Sequence, residues 1–255
     1  MKIGFCAKPA QVSEIANAGY DYMEPPVNAI AGMETDAFQA FVRQTWEAGI
    51  ATPSFNLLYP KNLALLDPAT EDSQITAYLS LAFERVQRLG GTMVVFGSGK
   101  SRMRPENMSY GEAFLRLAAI CRLSGMMADR FGLTIAIEPL NRSETNMICS
   151  LPEAADLAAA AAHPRIRVLA DYYHMCRESE PMEEIERIGG VVHAHIATSE
   201  GRLAPVVNEN GFKDFFKALK TTGFDGCLSV EGKCENMAEG GPITVKLLLK
   251  LWEEA

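Results

Sequence analysis

The sequence predicts an α/β protein built as a single (β/α)8 TIM barrel over residues 1–255. Three observations lead to this fold class. Short apolar runs alternate with longer helical segments, which is typical of parallel strands joined by right-handed crossovers. Eight such units fit into 255 residues, about the length of an eight-unit barrel. No composition shift or long linker divides the chain, so we expect one domain; a doubly wound open sheet is the alternative and usually has fewer strands.

The predicted strands are short apolar runs bounded by turn residues or by charge. In chain order they are 2–7, 20–25, 51–58, 92–99, 133–138, 166–171, 191–197 and 227–232. The third is the weakest, because Pro53 has no amide hydrogen to donate to a strand neighbour.

The segments between the strands are predicted as helices. In chain order they are 9–19, 33–49, 71–91, 109–130, 150–163, 181–190, 211–223 and 241–255. Gly19 and Gly49 end the first two. In the third, apolar residues at 75, 78, 79, 82 and 86 share one helical face. Ser150 is expected to cap the fifth, with Pro152 in its first turn.

Charge and composition argue against nucleic acid and membrane partners. The net charge is -8 and no Lys/Arg cluster exists to neutralise phosphates or anionic lipids. No run reaches the roughly 18 apolar residues of a membrane helix. The six cysteines form no CxxC pair, and the opening MKIGF leaves no room for a signal peptide. We therefore expect a cytoplasmic protein with reduced thiols.

Side chains that can bind a metal stand at the C-terminal ends of the last four strands, where the active site of a barrel lies. They are Glu138, Asp171, His195 and Glu231. Three carboxylates without a cation would repel one another and raise at least one pKa. Three carboxylates and one imidazole suit Mn2+, Mg2+ or Co2+ and tolerate Zn2+. The sequence therefore predicts one divalent metal site.

Two further residues stand close to this mouth. Glu24 lies near the end of the second predicted strand. His193 and His195 are two residues apart on a strand, so both face the same way. His195 is nearer the C-terminal end and is the predicted ligand. His193 is expected to be either a hydrogen-bonded core histidine or a support for the ligand.

The segment GSGKS at 97–101 invites a phosphate-loop interpretation. The full pattern needs glycine at position 94, which is Val94, and no helix begins directly after the segment. A glycine-rich turn at the barrel mouth is the better interpretation. Lys100, Arg102 and Arg104 could still contact an anionic end of a substrate, although solvated surface charge is the favoured role for each.

Four segments, EPLNRSET, LADYYHM, VHAHIATSEGR and SVEG, resemble the xylose-isomerase-like barrels of the sugar (phosphate) isomerase/epimerase superfamily. Among these they look most like the ketose 3-epimerases that act on D-tagatose and D-psicose. The resemblance covers roughly residues 131–235 well, and the first half only through the barrel pattern. It implies an isomerase of carbohydrate metabolism with a small-molecule sugar substrate and one divalent ion, Mn2+ being the expected one. A homo-oligomer is left open.

The resemblance also implies roles for individual residues. Glu138 and Glu231 would be ligands and also the two acid/base groups. The remaining implied ligands are Asp171 and His195. The implied substrate contacts are Glu144, His174 and Arg202. The family reads Gly-Glu-x-x-Arg after the histidine pair, whereas this chain reads TSEGR.

The expected chemistry is proton transfer by carboxylates through a metal-stabilised enediolate. Epimerisation and aldose–ketose isomerisation both follow from it. A hydroxypyruvate-type isomerase and an inosose-type dehydratase are enzyme alternatives, and a non-catalytic sugar-binding barrel is the non-enzyme alternative. A nuclease of the endonuclease IV type is disfavoured, because it uses a histidine-rich zinc site and a basic face, whereas this chain has four histidines and a charge of -8.

Overall fold

Eight parallel strands form one sheet that curls into a nearly closed barrel, and the computed structural model describes residues 1–255. The strands are β1 Lys2–Cys6, β2 Tyr22–Glu24, β3 Ser54–Phe55, β4 Met93–Phe96, β5 Thr134–Ile137, β6 Ile166–Asp171, β7 Val191–Ile196 and β8 Cys227–Val230. Their order is β2-β1-β8-β7-β6-β5-β4-β3. The gap between β2 and β3 is crossed by isolated bridges, Tyr22 to Ala51 and Pro26 to Asn56. The predicted (β/α)8 barrel is confirmed.

Ten helices surround the barrel or lie in its loops. They are α1 Val12–Asn17, α2 Val27–Ala31, α3 Thr35–Glu47, α4 Asp72–Arg88, α5 Tyr110–Arg130, α6 Leu151–Ala161, α7 Tyr172–Arg177, α8 Glu183–Ile188, α9 Asn210–Thr221 and α10 Met237–Glu254. All eight predicted helices are present. The short helices α2 and α7 are not among the predicted ones; α7 follows β6 directly and α2 follows β2 after two residues, both at the C-terminal mouth.

The third strand is shorter than predicted. Regular pairing covers only Ser54–Phe55, against the predicted 51–58. Pro53 accepts hydrogen bonds from Thr92 and Met93 at 2.9 and 3.0 Å but donates none. Pro53 therefore limits the N-terminal end of the strand, and beyond Phe55 the chain leaves the ladder and its residues become part of the mouth.

Helix ends follow local capping. Ser150 caps α6 as predicted, since its side chain accepts from the amide of Glu153 at 3.3 Å. The last helix begins at Met237 rather than at 241, because the side chain of Asn236 accepts from the amide of Glu239 at 3.4 Å. The first predicted helix opens as a single 3-10 turn, Pro9–Gln11, before α1.

The barrel interior is filled rather than hollow. Val95, Ala136 and Leu169 are fully buried in a small apolar cluster of their own, with Met93 and Val192 packed against it. Met93 and Val192 stand at or next to the N-terminal ends of their strands, so this cluster closes the lower part of the barrel. The polar side chains are thus confined to the C-terminal part of the interior.

None of the helices combines the length and apolar character needed to cross a lipid bilayer. All six cysteines are free thiols.

Candidate active site and metal centre

The structure brings the four predicted metal ligands together at the mouth of the barrel. Glu138, Asp171, His195 and Glu231 each offer one ligand atom, and these atoms lie within 4.8 Å of one another. His195 Nδ1 is 3.0 Å from Glu138 Oε1, 3.5 Å from Glu231 Oε2 and 3.9 Å from Asp171 Oδ2. The first three residues are buried, and the side chain of Glu231 keeps 19% exposure toward the mouth.

Backbone pairing at the strand ends places the two glutamates. The amide of Glu138 donates to the carbonyl of Phe96 at 3.3 Å, and the amide of Glu231 donates to that of Ile196 at 3.0 Å. Each glutamate therefore continues its strand by one residue and points from the rim. Gly97 completes the arrangement, since a Cβ there would lie 1.6 Å from Glu138 Oε2. Only glycine leaves the Glu138 carboxylate its present position.

Asp171 has two tasks at the end of β6. Its Oδ1 accepts from the amide of His174 at 2.8 Å and so caps α7. Its Oδ2 is the atom that faces His195, at 3.9 Å. The cap fixes the rotamer of the carboxylate, so one oxygen is held toward the other three candidate metal ligands.

The buried carboxylates among the four candidate ligands would be stabilised in their charged forms by a cation. Burial, followed by repulsion from Glu231, raises the pKa of Glu138. Burial also raises the pKa of Asp171, against the attraction of Arg202. Burial opposes ionisation of Glu231 too, but Arg202 outweighs it and lowers the pKa of Glu231 to about 2. A hard divalent ion would stabilise all three carboxylates in the charged form, and an oxygen-rich donor set with one nitrogen fits such an ion.

Glu24 lies behind the cluster and holds His195 from its other side. Glu24 Oε1 is 3.0 Å from His195 Nε2, and Glu24 Oε2 is 2.8 Å from His193 Nε2. Ser54 donates to Glu24 Oε2 at 2.7 Å, and Ser229 donates to the same oxygen. This residue was seen at its strand end in the sequence but was not included in the site; its inward position could be known only once β1, β2 and β7 were packed.

The charge of Glu24 determines which ring nitrogen of His195 is left to bind a metal. Burial disfavours the ionised carboxyl, but attraction by His193 and His195 outweighs this and holds the pKa of Glu24 well below its usual range. An ionised carboxylate only accepts, so His195 Nε2 carries a proton and Nδ1 faces the metal cluster. Cys6, with Sγ 4.0 Å from Nε2, forms a second compact group with Glu24 and His195. Since four donors already satisfy Glu24, we assign this group to hydrogen bonding.

Arg202 links Glu231, one of the four candidate metal ligands, to Glu144, another predicted substrate contact. Its Nη2 lies 2.5 Å from Glu231 Oε2 and its Nη1 lies 3.1 Å from Glu144 Oε1. The guanidinium also stacks over the ring of Tyr173, 4.8 Å from the centroid. Burial disfavours its charge, but Glu231 and Asp171 outweigh this and raise the pKa of Arg202. Arg202 is thus a permanent cation that lies between Glu231 and Glu144.

His174 is held as a neutral hydrogen-bond donor. Its Nδ1 accepts from the backbone amide of Asn141 at 3.0 Å, which leaves the proton on Nε2. Burial lowers the pKa of His174 and favours this neutral form. The side chain of Asn141 donates to Glu144 Oε1 at 2.9 Å. Asn141 therefore positions two predicted contacts at once, which its place in the EPLNRSET segment alone did not reveal.

Two of the predicted anion contacts, Arg102 and Lys100, lie in different environments, one buried and one exposed. Arg102 is fully buried, and its guanidinium donates to the carbonyls of Phe96, Glu138 and Ile148 at 3.0, 2.8 and 3.3 Å. The expectation that Arg102 meets an anion is wrong, because the side chain is buried and both Nη atoms donate to these backbone oxygens; it ties the ends of β4 and β5 to the loop beyond. Lys100 is exposed and lines a cavity of about 550 Å³ that Glu144 also borders.

Comparison with known proteins adds a family to this geometry. Residues 12–251 match the family model of the xylose isomerase-like TIM barrel. A ketose 3-epimerase of Arthrobacter globiformis is 27% identical, over 84% of this chain and 74% of the relative. A fructoselysine 3-epimerase of Escherichia coli O157:H7 is 23% identical, over 74% of this chain and 70% of the relative.

Solved structures show the same fold. A D-psicose 3-epimerase studied in the presence of D-fructose superposes with a TM-score of 0.87 at 16% identity, with 99% of each chain covered. The D-psicose 3-epimerase of Clostridium cellulolyticum H10, studied with D-tagatose, gives a TM-score of 0.85 at 15% identity, again over 99% of each chain.

Proposed function

This chain belongs to the xylose isomerase-like TIM barrel family, and we propose that it is a divalent-metal-dependent sugar epimerase or isomerase that acts on a ketose. The observation that supports this most is the convergence of Glu138, Asp171, His195 and Glu231 within 4.8 Å. These four residues would hold the ion, with Mn2+ proposed first. When bound, the ion would polarise the carbonyl of the substrate.

Glu138 and Glu231 are the proposed acid/base pair. One removes the proton on the carbon next to the carbonyl, and the other delivers a proton. Their environments differ, since burial and Glu231 raise the pKa of Glu138, while Arg202 overcomes burial to lower that of Glu231 to about 2. Such a separation favours opposite proton-transfer roles. We therefore propose that Glu231, which is ionised at neutral pH, first takes the proton, and that Glu138, whose raised pKa favours the protonated form, delivers one.

Arg202 and His174 are proposed to orient the substrate. Nε2 of His174 lies 3.3 Å from Nη2 of Arg202, and both nitrogens lie on the side of the cluster that holds Glu231. Donors placed there would bind the oxygens on which negative charge develops. Glu144, held by Arg202 and Asn141, remains 38% exposed and can accept from a sugar hydroxyl.

The relatives support the ketose part of the proposal. Two of the curated relatives are named for 3-epimerisation, one of ketoses and one of fructoselysine. Delivery of the proton to the opposite face of the same carbon gives a 3-epimer. We propose this outcome for the present chain because it has the barrel fold of these relatives and two carboxylates, Glu138 and Glu231, at its mouth.

An aldose–ketose isomerase of the hydroxypyruvate type is the second proposal. Lys100 favours it, since this exposed cation lines the cavity beside Glu144 and has no carboxylate partner within 4.0 Å. A substrate carboxylate would find its counter-charge there.

A panel of ketoses, with hydroxypyruvate included, incubated with Mn2+, Mg2+ or Co2+ distinguishes these proposals. We expect a 3-epimer as the product and no activity after chelation. An aldose from a ketose, or conversion of hydroxypyruvate alone, would favour the second proposal. A dehydrated product would replace both, and the absence of any product with every metal would contradict the proposed enzyme.

A further inference from the structure

Leu57 has an unusual backbone at the mouth of the barrel. It follows β3 by two residues, has a φ of 51°, and leaves 37% of its surface exposed. The left-handed region is costly for a branched side chain and is found mostly with glycine or asparagine. An apolar residue in this conformation and partly exposed to solvent calls for an explanation.

The neighbouring backbone imposes the conformation. The amide of Val27 donates to the carbonyl of Asn56 at 2.8 Å, and the amide of Asn28 donates to that of Leu57 at 3.3 Å. On the other side, the amide of Leu58 donates to the carbonyl of Val95 at 3.1 Å. The segment is therefore fixed from both sides, and strain kept in this way is concentrated at functional sites.

Leu57 lies between two cavities and lines both. The first lobe, of about 550 Å³, is bordered by Gly97, Lys100 and Glu144. The second lobe, of about 460 Å³, is bordered by Cys6, Asn56 and Lys233. Each lobe falls within the range of small-molecule sites. The exposed side chain of Leu57 is thus a wall shared by the two spaces.

Each lobe has a lining residue next to a different member of the proposed acid/base pair. In the first lobe this residue is Gly97, where a Cβ would lie 1.6 Å from Glu138 Oε2. In the second it is Asn56, whose Nδ2 is 3.3 Å from Glu231 Oε1. A substrate held between the two glutamates would then have one lobe on each side, with Leu57 between the lobes.

We propose that Leu57 is a specificity-determining residue. Its side chain packs against the C–H face of a ketose whose carbon chain extends from the first lobe into the second, and it limits the width of the substrate at the reacting carbons. The free hexulose passes this point, and a hexulose with a bulky ether beside the reacting carbons does not. This inference rests on the proposed function of the site.

Two variants separate the wall from the backbone strain. Leu57→Ala removes the side chain and keeps a Cβ in the left-handed region, whereas Leu57→Gly removes both. For each variant, kcat/KM is measured for a hexulose and for its benzyl ether. We expect both variants to raise the ratio of ether to free sugar by about tenfold or more, the range typical of reshaped apolar pockets. We also expect Leu57→Gly to melt at a higher temperature than Leu57→Ala.

Ala162 supplies the matched control. It has a φ of 49° at the exposed C-terminal cap of α6, away from both lobes. Ala162→Gly relieves the same kind of strain and should leave the substrate ratio unchanged.

Binding is measured in parallel by calorimetry on the Mn2+-loaded protein, with hexitol and its benzyl ether as non-reacting probes. Failure of the wild type to convert any ketose would overturn the proposed function. The ratio of the affinities for hexitol and its benzyl ether would then be the test of Leu57. A kinetic ratio and a hexitol affinity ratio within about twofold of wild type in both variants would overturn the role of Leu57.

Discussion

The ring of His195 is held by Glu24, whose Oε1 lies 3.0 Å from its Nε2 on the side of the ring that faces away from the metal cluster. The pKa of Glu24 is held well below its usual range, because His193 and His195 outweigh the effect of burial. The carboxylate is therefore an acceptor, and Nδ1 of His195 is left for a metal ion.

Glu24→Gln tests this relationship. An amide keeps the volume but can accept from only one of the two histidines and adds a donor in their place. We expect the affinity for Mn2+ to fall by about 10- to 100-fold, as for other partners of metal-bound histidines. Calorimetry measures the change. Glu184→Gln, a buried glutamate paired with Arg187 on α8, is the control that should not alter it. An unchanged affinity in folded Glu24→Gln protein would remove Glu24 from the site.

Metal binding should release protons. Burial opposes the charge on His195, but Glu24, followed by Cys6 and Glu138, raises its pKa well above the ordinary value. The metal-free protein then favours a proton on Nδ1, and this proton must be released to the solvent before a metal can bind there. The apparent affinity should therefore rise with pH, by about tenfold per unit for each proton released. Calorimetry in buffers of different ionisation heat counts the released protons. A count of zero contradicts a proton on Nδ1 of His195 in the metal-free protein.

Gly97→Ala should disable the site while leaving the fold intact. The added Cβ would lie 1.6 Å from Glu138 Oε2 and would push the carboxylate away. A misplacement of a catalytic group by about 1 Å can cost about 100-fold in kcat/KM, and we expect a loss of this order. Gly111→Ala on α5 is the matched control, because nothing lies within 4 Å of its Cβ position. Full activity in Gly97→Ala would show that the position of Glu138 does not matter.

Glu180 gives a prediction about stability away from the site. Burial raises its pKa from 4.5 to about 7, while its Oε1 accepts from the amide of Leu151 at 2.9 Å. The folded state then holds a proton that the unfolded state has already lost, so the free energy of unfolding falls as the pH rises from 4.5 to about 7. Glu180→Gln keeps the acceptor and removes the titration. Urea unfolding should show a larger gain from this variant at about pH 8 than at about pH 5; an equal gain at both would contradict the assignment.

Much of the metal cluster could be predicted because parallel strands bring their C-terminal ends to one mouth. Glu138, Asp171, His195 and Glu231 each lie at or near the C-terminal end of a predicted strand, and the curling of the sheet into a barrel brings these ends together. Arg102 could not be placed in this way. Its carbonyl partners Glu138 and Ile148 lie 36 and 46 residues away, so a buried arginine looks like a surface one in the sequence.

The helix α7 was missed for a similar reason. The segment Tyr172–Arg177 is short and begins directly on Asp171, which the sequence shows only as a strand end. One side chain serves as both strand terminus and helix cap, a double use that periodicity does not report. The left-handed conformation of Leu57 was also hidden, because it is imposed by two hydrogen bonds, from the amide of Asn28 to the carbonyl of Leu57 and from the amide of Leu58 to the carbonyl of Val95 in β4.

The central claim is that Glu138 and Glu231 transfer a proton at the carbon next to a ketose carbonyl. The most direct measurement is NMR of solvent deuterium entering that carbon when a ketose is incubated in D2O with the Mn2+-loaded protein. We predict deuterium at that carbon in wild type and a loss of about 100-fold or more in Glu231→Gln with ketose still bound. Ketose binding in wild type without deuterium at that carbon would contradict the account and leave a sugar-binding barrel in its place.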